Sequence, residues 1–208
     1  MIAETLSRAG AALGLGVALA GAPGPVQAVL FGEAVRGGVA RGFRALAGAS
    51  GTFGIVLLLV ALGVSVATPS GLALRSLRVA GGLLLLWLAF EGLRSAHIVG
   101  RDASERRDMP PALRGSLAIV LNPGAWLFLA AVASPLLASA SHAGGKGTAV
   151  VVALALLVGA GLGDTAVVLF GGLGVRRAGA RFAVWVRRVL AAVLAGLGIW
   201  LLLQGVIP

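Results

Sequence analysis

The 208-residue chain contains no cysteine, and its two histidines, His97 and His142, both lie outside its apolar runs. Without thiols there is no disulfide, no thiolate nucleophile and no sulfur cage for a soft metal. Two isolated histidines offer no metal-ligand spacing either. Charge is equally scarce: 12% of residues are charged, and only seven are acidic. A soluble domain commonly carries about twice that charged fraction. There is no glycine-rich phosphate loop after a strand, no His-Glu-x-x-His helix and no serine-centred elbow, so nothing points to an enzyme. An intramembrane enzyme would need a nucleophile beside a base, and the apolar runs hold neither cysteine nor histidine. No cofactor is implied.

What the chain does have is apolar length. Hydrophobic residues make up 59% of it, and its mean hydropathy is +1.02. A membrane helix needs about 20 apolar residues to cross roughly 30 Å of hydrocarbon. Six runs qualify: Ala9–Phe31, Ala45–Ala67, Leu72–Leu93, Gly115–Ala138, Thr148–Leu173 and Val189–Ile207. The fold expected is therefore an all-α, multi-pass integral membrane protein of six transmembrane helices, with no room for a soluble domain.

Basic residues set its orientation. Arg36, Arg41 and Arg44 follow the first run, Arg94, Arg101, Arg106, Arg107 and Arg114 the third, and Arg176, Arg177, Arg181, Arg187 and Arg188 the fifth. Arg8, Arg75, Arg78 and Lys146 fall to the other side. The positive-inside rule then puts both termini outside. The net charge of +10 is a topology signal, and these loops lack the aromatic platforms of a nucleic-acid surface. Ala20-Gly21-Ala22 resembles a signal cleavage site, but cutting there would leave five spans and turn the basic loops outward.

The polar stretch His97–Pro111 divides one domain, residues 1–208, into halves 1–96 and 115–208 around a cytoplasmic loop, 97–114. Three spans per half make the second half enter from the opposite side, the arrangement of an inverted repeat. Each half has a proline break in its first span: Pro23-Gly24-Pro25 and Asn122-Pro123. Proline removes a donor and clashes with the preceding turn, freeing backbone polar groups where they serve best by lining a cavity. Paired breaks of this kind point to a transport site.

Among side chains, Asp164 lies deepest in an apolar run. Such a residue costs about 2.5 to 3.5 kcal/mol at a helix centre, so it should face the bundle interior or a wet cavity, where it can exchange a proton. Asn122 precedes a proline and is biased away from helix, leaving its amide to bind a ligand or cap the opened turn. Gln27 lies one turn past Pro23, and lining or helix bonding suits it equally. Glu91 and Arg94 read as interfacial anchors and the four tryptophans include belt residues. Glycines at four-residue spacing (Gly10 with Gly14, Gly159 with Gly163) and Ala192 with Gly196 read as packing positions, permitting a homodimer.

The order Gly21-Ala22-Pro23-Gly24-Pro25, the arginine- and glycine-containing loop from Arg36 to Arg44, Gly81-Gly82-Leu83-Leu84-Leu85-Leu86-Trp87 and Leu121-Asn122-Pro123-Gly124-Ala125 resembles the lysine exporter (LysE) and threonine/homoserine exporter superfamily over nearly the whole chain. The resemblance implies a secondary transporter of the bacterial inner, or plasma, membrane that exports amino acids or related small metabolites by proton antiport. It puts Pro23, Gly24, Pro25, Asn122 and Pro123 on the translocation path; the residues' own chemistry adds Gln27 as a further liner and Asp164 for proton coupling. Many relatives carry a polar residue after Pro-Gly-Pro and a lysine after Asn-Pro, where this chain has Val26 and Gly124, a departure that bears on the substrate. The alternatives are export of a metal cation, which the superfamily includes, and a non-transporting membrane scaffold. Expected partners are a small substrate, protons and the bilayer, with no nucleic acid and no bound metal.

Overall fold

Helices form over the apolar runs, and several start or stop at a glycine or proline, among them Gly21, Pro25, Gly37, Gly71, Pro111 and Pro123. The computed structural model describes residues 2–21, 24–64, 71–96, 109–174 and 180–206. Among them there are only helices and short connections: α1 (Ile2–Gly21), α2 (Pro25–Gly37), α3 (Val39–Ala61), α4 (Gly71–Ala96), α5 (Pro111–Val120), α6 (Pro123–Phe128), α7 (Ser134–Leu169) and α8 (Ala180–Val206). Two π turns, Leu129–Ala133 and Phe170–Gly174, join α6 to α7 and extend α7.

Several boundaries fall elsewhere than the sequence suggests. Arg41 and Arg44 stand in the first turns of α3, because Gly38 alone separates α2 from α3. Its φ of 80° is one that side chains with a Cβ rarely adopt, which lets the chain turn in a single residue. Arg75 and Arg78 lie inside α4, and Arg78 donates to the Gln204 carbonyl near the end of α8. At Gly144 and Gly145 the backbone of α7 leaves helical geometry, so α7 is two helices in series.

By length and composition, Val39–Ala61, Gly71–Phe90 and Pro123–Gly174 can each cross a membrane. The bent pair α1 and α2, meeting at 68°, makes a fourth if taken as one span. The 52 residues of Pro123–Gly174 have a helical contour length of about 78 Å at 1.5 Å per residue, over twice the hydrocarbon thickness.

Small residues decide how these helices meet, since in lipid close backbone packing replaces the hydrophobic drive. A methyl group on Gly159 would strike the Leu13 carbonyl, one on Gly16 the Leu156 carbonyl, and one on Gly163 the Ala20 side chain. From Leu13 with Gly159 to Ala20 with Gly163 the contacts advance along both chains, so α1 lies parallel to the second part of α7. Gly115 meets Ala45, Gly48 meets Ala112, and the Phe53 and Phe128 rings stand 6.2 Å apart, making α3 parallel to α5 and α6. By contrast Val79 meets Gly205, Gly82 meets Leu202 and Leu86 meets Gly198, so α4 and α8 are antiparallel. Gly10, Gly14 and Gly196 touch nothing that a methyl would displace. Of the sequence-selected pairs, Gly159 and Gly163 are therefore the ones that pack.

Candidate functional site

A cavity of about 290 Å³ lies between the two helix breaks. Its wall takes Leu19 and Ala20 from α1, Gly24 to Gln27 from the start of α2, Ser50 and Phe53 from α3, Ile119 to Phe128 in part, and Leu157, Ala160 and Asp164 from α7. Of the residues selected from sequence, Gly24, Pro25, Gln27, Asn122 and Asp164 share this wall. Pro123 is buried in the first turn of α6 behind it. Pro23 lies outside the described residues.

The breaks differ in how well they satisfy their own backbone. At the second, the Asn122 amide N–H donates to the Ile119 carbonyl at 3.2 Å. Trp126 Nε1 donates to the Val120 carbonyl at 2.8 Å, so Trp126, one of the four tryptophans among which belt residues are expected, bonds across the break. Asn122 Oδ1 accepts from the Gly124 N–H at 3.0 Å. The Asn122 side chain thus caps α6, and its Nδ2 keeps no protein acceptor among the described residues.

At the first break, no described side chain caps the helix that follows. Gly24 is extended, with φ −163°, and Pro25 takes the first helical position. The first bond of this helix runs from the Ala28 N–H to the Gly24 carbonyl. Val26 and Gln27 therefore present backbone N–H groups at the cavity with no acceptor among the described residues, and the helix dipole adds partial positive charge there.

Across the cavity, Gln27 Nε2 donates to Asp164 Oδ1 at 3.3 Å. Asp164 is 8% exposed, and its second oxygen has no protein partner among the described residues. Gln27 is thus tied to the acid, and both face the space they share. Ser50 completes the polar set, and the sequence gives no hint of it, because a serine in an apolar helix usually bonds its own preceding turn.

A second polar cluster was not legible as a site. Glu33, 3% exposed, sits two turns beyond the cavity on α2. Arg41 Nε donates to its Oε2 at 2.6 Å, Arg114 Nη1 to its Oε1 at 2.8 Å, and Arg36 lies 3.6 Å away. Arg114 is fully buried, bonds the Met109 carbonyl, and places its guanidinium 5.4 Å from the centre of the Trp87 ring. Arginines that read as loop charges from the sequence are therefore, in part, helix residues gathered on one carboxylate. Arg36 one turn after Glu33, one of only seven acids, is the one local signal by which it could have been found. Glu91 and Arg94 have side chains outside the described set, as does the whole of His97.

Along the same helices, buried residues flank the lining ones: Leu30, Ala34, Ala45 and Ala118 toward Glu33, and Leu57, Ala133, Leu137, Val152 and Leu156 on the other side. The first group leads to the ion cluster, and beyond the second Ser134, Ser141, His142 and Lys146 line a separate pocket. Among the described residues no three His, Cys, Asp or Glu side chains are grouped to hold a metal ion.

The family model of LysE type translocators matches residues 17–205 of this chain. No curated protein and no solved structure matches it.

Proposed function

The chain belongs to the LysE type translocator family, and on that premise we propose that it is a proton-coupled secondary transporter exporting amino acids or related small metabolites across the bacterial inner membrane. It is a multi-pass membrane protein of a transporter family. The observation that carries the finer reading is the pairing, in one cavity, of an uncapped helix start with a single buried carboxylate. Free N–H groups and a positive dipole end suit a substrate carboxylate, and Asp164 suits an ammonium.

One carboxylate serving two cations gives exchange. Asp164 can hold a proton or an ammonium but not both, so loading substrate from the less acidic side releases the proton that reloads from the more acidic side. The gradient then biases the carrier through differential binding in its two open states. The Glu33 cluster, on the basic side of the topology, forms the cytoplasmic closure.

Six crossings organised as inverted halves fit the packing. Exchanging the halves turns the α1 and α7 contact into the α5 and α3 contact and returns the α4 and α8 contact to itself. The close-approach glycines follow the same exchange, Gly16 with Gly115, Gly159 with Gly48, and Gly82 with Gly198. The cavity offers a metal cation one carboxylate and no imidazole or thiolate, which favours an organic substrate over metal cargo. A scaffold has no use for an open helix start in a cavity wall.

The test is efflux from proteoliposomes of the purified chain under an imposed pH gradient. Asp164→Asn should abolish gradient-driven efflux. Unchanged gradient-driven efflux would remove Asp164 from coupling.

A further inference from the structure

We infer that the substrate is a neutral amino acid with an apolar side chain, a zwitterion without a third charge. This rests on the exporter reading above and narrows its substrate class. The argument is a charge inventory of the cavity. Among the described residues, Asp164 is the only ionisable side chain in its wall. It is more than nine-tenths buried, and one of its oxygens lacks a protein partner among the described residues. The one positive feature is the start of α2, with the Val26 and Gln27 N–H groups, and the Asn122 amide adds a neutral donor.

A backbone carboxylate and a backbone ammonium use up both. A lysine or arginine side chain would then need a second acid, and a glutamate or aspartate side chain a second cation. Among the described residues the wall has neither, and an uncompensated charge in so buried a place is strongly disfavoured.

Apart from the neutral hydroxyl of Ser50, the other side chains that shape the wall are apolar: Leu19, Phe53, Ile119, Phe128 and Leu157. Their surfaces meet an aliphatic or thioether side chain without leaving a polar group unpaired. Val26 contributes to the same character, standing where a polar side chain would add another donor or acceptor. At about 290 Å³ the space falls at the small end of ligand sites, which run from roughly 300 to 1,000 Å³. A single amino acid suits it better than a longer peptide.

Exchange by the full-length protein in proteoliposomes tests this, with leucine, valine, methionine, lysine, arginine and glutamate offered on both sides. Leucine, valine and methionine should exchange, and the three charged amino acids should compete at least about tenfold more weakly. Exchange of lysine or glutamate equal to or better than leucine would overturn the inference while leaving the exporter reading intact. Exchange of no amino acid at all would overturn both. Ser50→Asp supplies the missing acid from the cavity wall and should bring lysine up to the level of leucine. Continued rejection of lysine by a folded Ser50→Asp protein would also count against the inference, and the wild-type comparison decides by itself if that variant does not fold.

Discussion

Asn122 performs two tasks with two atoms, and they can be separated. Its Oδ1 caps α6 through the Gly124 N–H, while its Nδ2 stands in the cavity wall. Asn122→Ala removes both and should cost about 1 kcal/mol of stability, the usual worth of such a cap. Serine also caps helices, so Asn122→Ser should keep the melting temperature in detergent near wild type while raising the KM for transport. Equal losses of stability and of transport in both variants would mean that the residue only caps. Asn122, Gln27 and Asp164 were legible from sequence because a proline, or an acid in an apolar run, is costly without a reason. Ser50 and Phe53 carried no such cost. Nothing local distinguishes a phenylalanine facing a cavity from one facing lipid.

At the scale of elements, α2 and α5 each run from a helix break to the Glu33 cluster, and one carboxylate ties them together. Glu33→Gln keeps the shape but leaves the buried Arg114 without its counter-charge, a change that costs about 3 to 5 kcal/mol when a buried pair is broken. Thermal unfolding of the purified variant should register that loss, whereas a near-wild-type melting temperature would show the pair to be dispensable. That the chain is helical was readable from apolar length, and the two breaks from their prolines, whereas by length and composition three or four spans stand among the described residues where six runs were read. The junction of α2 with α3 was not, because Gly38 makes a turn so short that the arginines after it still look like a loop. The same limit hid the break in α7: Gly144 and Gly145 lie in a glycine-rich stretch where any one glycine says little. Which glycines pack was equally hidden. Gly10 and Gly159 have similar sequence surroundings, and only the neighbouring helix distinguishes them.

For the whole molecule, the absence of cysteine makes orientation directly measurable, because any introduced thiol is the only one present. Lys146→Cys, at an exposed position near the break in α7, should react with a membrane-impermeant maleimide in intact cells. Arg44→Cys, exposed on α3, should react only after the membrane is opened. The reverse pattern would invert the topology, and with it the direction assigned to the Glu33 closure. That same cluster also bears on how the molecule is made. Glu33 and Arg114 are 81 residues apart, so during synthesis the acid emerges well before its buried partner exists. Until then Arg36 and Arg41, close by in sequence, are its available counter-ions. The arrival of α5 is therefore the step that turns a provisional, locally neutralised segment into a finished one, and the two halves of the chain mature together rather than in turn.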